Sequence, residues 1–338
     1  MTAFAARGRL GLEQKVVAPA YAPSASAESL LGLVEGERIT TRDLLYGLLL
    51  ASGNDAAVAL AEATSGSVEA FVAQMNKSAR RLGLRDTRYG NPIGLDQPDN
   101  YSSARDLVEL AAKLREDHVF RRIFNSPEAV LTSGAKTRRI VNRNALVRNV
   151  PFVDGVKTGY TQGAGNVLVA SGTQGGVSLI SAVLGAPSEA ARDAESLELL
   201  EYGFSLYRTR EVVDARQRLA SATVRYQDRT LPLVAARPIE ITVRRNQRVK
   251  TAVDAPRELE GPVTTNERLG QVVVTVDGEP RGRTALLAAV AVPEASLGQR
   301  IDSAVPGPGI VSWIVLTAAL VAVVVIIVRV RRRSRRVA

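Results

Sequence analysis

Serine, lysine and the acidic residues are the side chains that could carry hydrolytic chemistry in this chain. It has 338 residues, with no cysteine and one histidine, His118. Thiol catalysis, disulfides and cysteine metal sites are therefore excluded, and so are zinc sites built on several histidines. A Ser-His-Asp triad would have to use His118, which follows a helix-like run among charged neighbours and is interpreted as a solvated or helix-capping residue.

Two short sequences place such side chains beside small or polar partners. Lys157-Thr158-Gly159 lies in a predicted strand that is followed by a hairpin signal, as a binding site at the edge of a sheet requires. Ser52-Gly53-Asn54 lies between two predicted helices, where serine and asparagine usually cap backbone amides. Each sequence alone is weak evidence for a site, because a given tripeptide also arises by chance.

Together, and in this order, the two sequences resemble the second and third motifs of the serine DD-peptidases, S-x-N and K-T-G. Within that group the chain resembles the D-alanyl-D-alanine carboxypeptidases of the low-molecular-mass penicillin-binding proteins. The same resemblance is carried by four further stretches, 91–96, 101–107, 142–146 and 164–165. It extends from Met1 to about Arg208.

The first motif of that family, S-x-x-K, holds the nucleophilic serine and precedes S-x-N. Here the chain begins Met1-Thr2-Ala3, which resembles the residues that follow the family's lysine. The only S-x-x-K runs from Ser133 to Lys136, in the wrong order and with Gly134 inside it, and it is interpreted as a loop or strand edge. We therefore expect a start upstream of Met1 or a gene that has lost the motif, and an inactive 338-residue form.

The resemblance implies a peptidoglycan stem peptide ending in D-Ala-D-Ala as substrate, β-lactams as inhibitors, and no metal or organic cofactor. Ser52 is the implied catalytic residue, which relays a proton towards the leaving amine.

Five further residues are implied to bind the substrate. Asn54 would bind the substrate amide, and Lys157 would stabilise the oxyanion. Thr158 would hold the terminal carboxylate, Gly159 would admit the substrate backbone, and Tyr160 would supply a second oxyanion donor.

The elements that must position these residues are helices first and strands later. Capping signals predict helices over 41–50, 55–64 and 67–82, and another from 104 onward. Alternating patterns predict strands over 153–160, 166–171 and 177–184, followed by a closing helix over 189–207. With the resemblance, this indicates an α+β fold over 1–208, a DD-peptidase/β-lactamase-like domain with a helical subdomain and an antiparallel sheet that is incomplete at the N-terminus.

The rest of the chain predicts a β-domain and a membrane anchor. Short alternating stretches over 212–300 favour a small all-β domain. A linker over 301–309, an uncharged run over 310–328 and a basic tail over 329–338 predict one transmembrane helix. Six of the net +10 charges are arginines of that tail, which argues against nucleic-acid binding. The positive-inside tendency predicts a single-pass cell-membrane protein whose catalytic domain is extracytoplasmic and whose C-terminus is cytoplasmic.

Three other functions stay open. A β-lactamase shares the motifs, although the β-domain and the predicted anchor favour a carboxypeptidase. A non-catalytic peptidoglycan-binding pseudoenzyme would use the cleft without acylation. A cytoplasmic, tail-anchored interaction protein would account for the residues from Met1 to Gly8, which lack the signal sequence that export requires.

Overall fold

The computed structural model describes residues 1–24, 28–304 and 310–334, and it divides the chain into two compact units, Met1–Tyr207 and Arg208–Ala338. The described helices of the first unit are α1 (Thr2–Arg7), α2 (Thr41–Leu50), α3 (Asn54–Ser65), α4 (Val68–Arg81), α5 (Ala104–Arg115), α6 (His118–Phe124), α7 (Ala145–Asn149) and α8 (Glu189–Ser205). Its described strands are β1 (Lys15–Val17), β2 (Arg38–Thr40), β3 (Glu128–Leu131), β4 (Arg138–Val141), β5 (Val153–Thr161), β6 (Gly165–Gln174) and β7 (Val177–Ala186).

Side-chain caps determine where the longer helices begin. The Thr40 hydroxyl accepts a hydrogen bond from the Asp43 N–H at 3.2 Å at the start of α2, and serines cap α4, α5 and α8 in the same way. Helix α3 ends at Gly66, whose φ of 82° suits a residue without a side chain. The helices predicted from these signals are confirmed, with ends within two residues of the predicted ones.

Strands β5, β6 and β7 form an antiparallel three-stranded sheet in that order, so β5 lies at one edge of it. Helix α8 packs against β6 and β7, and Leu168, Ala170 and Leu200 are buried in the core there. Val156 of β5 belongs instead to the large core of the helical region, which includes α2, α3 and α6. The sheet therefore lies between α8 and the helical layer, and the three predicted strands are confirmed.

The sequence analysis missed the short elements. Hairpins β1–β2 and β3–β4 have strands of three and four residues, and α1, α6 and α7 have five to seven residues. None of these segments is long enough to show a hydrophobic period. Their positions follow from packing on the longer helices.

The second unit contains the predicted all-β domain. Its strands are β8 (Tyr207–Val213), β9 (Arg218–Val224), β10 (Thr230–Ala235), β11 (Ile239–Arg244), β12 (Val249–Asp254), β13 (Glu258–Leu259), β14 (Arg268–Val276) and β15 (Glu279–Ala288). Six of them form one sheet in the order β12-β14-β15-β10-β9-β13, and β11 pairs with β8. Leu231, Leu233, Val272, Val274 and Leu286 are fully buried in its core.

Two helices follow, α9 (Leu297–Ala304) and α10 (Ile310–Ser334). The predicted linker is thus partly helical; its residues 305–309, like residues 335–338 of the predicted tail, lie outside the described residues. Within the described part of the chain, no single helix meets the length and apolarity of a membrane span; the apolar stretch there is Thr317–Ile327, and the bent pair α3–α4 meets these criteria only when taken together. The transmembrane helix predicted over 310–328 is therefore not shown.

Candidate active site

Ser52 lies in the tight junction between α2 and α3. Its φ of 62° is in the left-handed region, which is strained for a residue with a side chain. Gly53 follows as the N-cap of α3, and its N–H donates to the Gly47 carbonyl at 3.1 Å. A Cβ on Gly53 would lie 3.1 Å from an Asp55 oxygen and 3.2 Å from the Leu31 Cβ. The junction is therefore closely packed, and it fixes the direction of the Ser52 side chain.

Lys157 brings the two motif-like sequences together. It lies in the middle of the edge strand β5, and its Nζ donates to the Ser52 Oγ at 3.0 Å and to the Thr158 carbonyl at 2.6 Å. Ser52 and Lys157 are thus in direct contact although they are far apart in the sequence. A hydroxyl that accepts from an ammonium keeps its own proton for donation, which is the arrangement a proton relay needs.

Burial is the main influence on the charge of Lys157. Burial, together with the smaller effect of the positive charges of Arg143 and Arg192, lowers the pKa of the ammonium to about 8. Arg192 is 2% exposed on α8, and its guanidinium lies 2.9 Å from an Asp193 oxygen. Sequence reasoning missed both arginines as members of the site. Arg143 stands in the stretch 142–146 that carries the family resemblance, whereas Arg192 has no sequence signal.

Lys157 and Thr158 line a cavity of about 240 Å³. Met1 and Thr2 line it as well, and its other walls are mostly apolar side chains from α1, α2, α5, α6 and the sheet. Thr158 is itself buried. The cavity has low polarity, so a charge placed beside Lys157 is screened less than in water.

The remaining predicted residues flank this contact. Asn54 is buried at the start of α3, and its Nδ2 donates to the Glu28 Oε2 at 2.9 Å. Tyr160 is exposed near the end of β5. A Cβ on Gly159 would lie 2.8 Å from the Val167 Cγ2, so this glycine also allows β5 and β6 to approach each other. Glu28 was not predicted; nothing in its sequence context marks it.

Ser133 and His118 have structural or solvent-exposed positions. The Ser133 Oγ donates to the Asp43 Oδ2 at 2.7 Å and contacts the Thr40 Oγ1 at 2.9 Å, in the turn between β3 and β4, which confirms its interpretation as a loop residue. The His118 side chain is 75% exposed, as interpreted, but it begins α6 and does not end a helix. Within the described residues no cluster of histidine and acidic side chains could hold a metal ion.

Comparison with known families explains the arrangement. A profile described as D-alanyl-D-alanine carboxypeptidase matches residues 1–188. The chain belongs to the D-alanyl-D-alanine carboxypeptidase family. A second profile, the C-terminal domain of penicillin-binding protein 5, matches residues 207–294. The two matches correspond to the α+β unit and to the all-β domain.

Individual members of the carboxypeptidase family are similar over most of the chain. D-alanyl-D-alanine carboxypeptidase DacF of Bacillus subtilis is 34% identical over 278 residues, which cover 81% of this chain and 71% of DacF. DacA of Haemophilus influenzae is 36% identical over 250 residues, covering 72% of this chain and 62% of DacA, less than two thirds of that protein.

Solved structures of the family share the fold. Penicillin-binding protein 5 from Haemophilus influenzae superimposes with a TM-score of 0.58 at 31% identity, over 87% of this chain and 88% of that one. A mutant of the Streptomyces K15 DD-transpeptidase gives 0.57 at 32% identity, over 61% and 85%. The DD-peptidase fold and the C-terminal all-β domain predicted from the sequence are thereby confirmed.

Proposed function

We propose that this protein acts as a serine-type D-Ala-D-Ala carboxypeptidase, which removes the terminal D-alanine from peptidoglycan stem peptides through an acyl-enzyme and binds β-lactams at the same site. The 3.0 Å hydrogen bond between the Ser52 Oγ and the Lys157 Nζ carries this proposal. It joins the S-x-N and K-T-G sequences, and Lys157 and Thr158 of the second sequence line a cavity. Membership of the carboxypeptidase family supports it independently.

The substrate would bind along the free edge of β5. An extended peptide can pair with an edge strand through main-chain hydrogen bonds. Its terminal carboxylate would be attracted by the positive charges of Lys157, Arg143 and Arg192 and would accept a hydrogen bond from the Thr158 hydroxyl. Since Lys157 has a pKa of about 8, it is largely protonated near pH 7 and can stabilise the oxyanion that develops in acyl transfer.

Ser52 would carry the proton to the leaving amine. Its hydroxyl accepts from Lys157 and can donate its own proton to the nitrogen of the departing D-alanine while the C–N bond breaks. The Tyr160 N–H would be the second oxyanion donor, and Asn54 would bind a substrate amide. These groups would bind the substrate, stabilise charge or transfer a proton. None of them is the nucleophile.

The nucleophile is a serine with a lysine one helical turn away, and Ser133 does not fit this role. Its hydroxyl is bonded to Asp43 and Thr40 in a turn. We therefore propose that the 338-residue form binds stem peptides without cleaving them. This is the behaviour of the non-catalytic alternative, and the bonding of Ser133 is the observation that favours it for this form.

Fluorescent penicillin tests both statements. The 338-residue form should stay unlabelled, and a longer form that carries S-x-x-K ahead of Met1 should be labelled on that serine and should release D-alanine. Stable labelling of the 338-residue form, mapped to any serine, would show that the site is assigned wrongly. A longer form that binds the peptide but is neither labelled nor active would establish the non-catalytic alternative.

We also propose that the protein is held at the cell membrane by its C-terminal helix, with residues 1–304 outside the cytoplasm. The stretch 310–328 carries no charged residue, and large apolar side chains in it are exposed, among them Trp313, Leu320 and Ile326. Carbonate extraction of cells should leave the full chain in the membrane fraction and release a variant that ends at residue 304. A full chain found in the soluble fraction would contradict the proposal.

A further inference from the structure

A second cavity lies in the helical region of the first unit. It has a volume of about 590 Å³, against about 240 Å³ for the cavity beside Lys157. Its walls come from α1, from α4 and from the chain that leads from the end of α5 into α6. None of the residues proposed for catalysis or peptide binding lines it. The cavity is therefore a separate feature, which the proposed function does not use.

Basic side chains dominate the charge of this cavity. Five basic and two acidic side chains line it, an excess of three positive charges. Lys77 and Arg81 stand at positions i and i+4 of α4, where two like charges repel each other and destabilise a helix. An anion bound between them would remove this repulsion. The basic residues are Arg7, Arg9, Lys77, Arg81 and Lys113, and the acidic ones are Glu116 and Asp117.

The two acidic side chains already have partners. The Asp117 carboxylate caps α6, where it accepts from the Val119 N–H at 2.8 Å. A Glu116 carboxylate oxygen lies 2.5 Å from the Lys113 Nζ. Neither acid therefore neutralises the remaining basic side chains. The exposed basic residues of the cavity that have no ion pair with another described residue are Arg9, Lys77 and Arg81.

Arg7, in the last turn of α1, is a further cation whose charge is weakly compensated. Its Nε is buried and has no hydrogen-bond partner among the described residues. The Asp117 Oδ2 lies 3.5 Å from this nitrogen, which is longer than a normal hydrogen bond. The charge of a guanidinium is delocalised over its three nitrogens. An anion at the terminal nitrogens would therefore compensate the charge of the whole group.

Apolar side chains form another part of the wall. Leu114 and Phe120 are 6% and 2% exposed, and Phe4 is half-buried. A ligand that touched these side chains would gain affinity from the burial of apolar surface as well as from its charge. The lining is thus suited to a ligand that joins an anionic group to an organic part.

We propose that this cavity binds an organic diphosphate, with its phosphate groups among the basic side chains and its organic part against the apolar wall. Two linked phosphate groups carry more than one negative charge at neutral pH, which matches the excess of positive charge. A guanidinium binds phosphate oxygens through two parallel N–H donors, and arginines of both α1 and α4 line the cavity. The site does not depend on the proposed carboxypeptidase activity.

Isothermal titration calorimetry of the 338-residue chain with isopentenyl diphosphate tests this site. Inorganic pyrophosphate, which lacks the organic part, should bind about tenfold more weakly. Arg81→Ala and Lys77→Ala should each weaken the binding of isopentenyl diphosphate about tenfold, the effect of one hydrogen bond to a charged group. Arg80→Ala is the matched control. It removes the same charge from the same turn of α4, but Arg80 does not line this cavity, and the variant should bind like wild type.

Other results would overturn the inference. One is the absence of binding at low ionic strength, where the attraction between charges is strongest. Equal weakening by Arg80→Ala and Arg81→Ala would show that only the overall charge attracts the ligand. Loss of binding in Lys157→Ala, with full binding in Arg81→Ala and Lys77→Ala, would place the ligand in the cavity beside Lys157. Pyrophosphate that binds as tightly as isopentenyl diphosphate would exclude an organic diphosphate as the preferred ligand.

Discussion

The surroundings of Ser52 and Ser133 differ in kind, although both serines stand in motif-like sequences. Ser133 bonds through its hydroxyl and through its N–H to one carboxylate, that of Asp43. Ser52 instead accepts a hydrogen bond from a lysine on a distant strand, and its backbone is in a strained region. The fold uses every hydrogen-bonding group of Ser133, whereas the Ser52 hydroxyl contacts a positively charged lysine that lines a cavity.

The difference shows how a serine of the fold can be told from a serine of a site. A structural hydroxyl has local, saturated hydrogen bonds, so its loss lowers stability. The orientation of a hydroxyl in a site is fixed by the backbone and by a charged neighbour, so its loss changes the rate of the reaction. Short sequence motifs cannot make this distinction, because both serines satisfy a three- or four-residue pattern.

The largest expected effect comes from the hairpin that carries Ser133. Arg138 on β4 forms a buried ion pair with Glu37, whose side chain is 1% exposed. Arg138→Met leaves that carboxylate without its cation, and we expect a loss of about 3–5 kcal/mol in the free energy of unfolding. Urea denaturation measures it. Arg139→Met breaks an exposed pair on the same strand and should cost under about 1 kcal/mol; equal losses would contradict the structural role of this region.

Next in size is Lys157→Ala in a longer form that carries S-x-x-K. In the proposed function the ammonium stabilises charge that grows during acyl transfer, so its loss should slow D-alanine release by about a hundred- to a thousandfold, or about 2.7–4 kcal/mol. The melting temperature should change little, because Lys157 is a charged side chain that is half-buried at a cost in desolvation. A fall in melting temperature large enough to unfold the variant under assay conditions would count against the catalytic assignment.

Alanine substitution of the two serines should affect different properties of the protein. Ser133→Ala removes a hydrogen bond to a charged carboxylate, and we expect about 1.5–3 kcal/mol of lost stability with normal D-alanine release. Ser52→Ala should slow release through the lost proton relay and leave stability near wild type. Both are measured on the longer form by the same assay and the same melt. Release that survives Ser52→Ala and disappears in Ser133→Ala would show that the site is in the wrong place.

The smallest effect is a pH dependence of peptide binding. Burial lowers the pKa of Lys157 from its usual 10.5 to about 8, so the folded protein loses this charge as the pH rises through 8. The affinity of the 338-residue chain for a D-Ala-D-Ala peptide should fall above that pH, by at most about tenfold per pH unit. Lys157→Arg stays charged, and its affinity should be flat up to pH 10. A wild-type affinity that is equally flat would contradict the placement of Lys157 at the peptide carboxylate.

Local signals predicted the elements that have them. Helix α2 was predicted to the residue because Thr40 caps it, and the β6–β7 hairpin followed from its glycines and the alternating strands on either side. The contact of Ser52 with Lys157 was expected only through a family resemblance, since no local pattern encodes a contact between residues so far apart. Glu28 and Arg192 lie outside both motifs. Their roles depend on which chain segments meet in three dimensions, and one sequence does not contain that information.

The φ of 62° at Ser52 sets stability against the proposed proton relay at a single residue. A left-handed backbone costs a residue with a side chain about 1–2 kcal/mol relative to the right-handed one, and glycine would avoid most of that cost. Glycine at position 52 would relieve this strain, and it would remove the hydroxyl that the proposed proton relay needs.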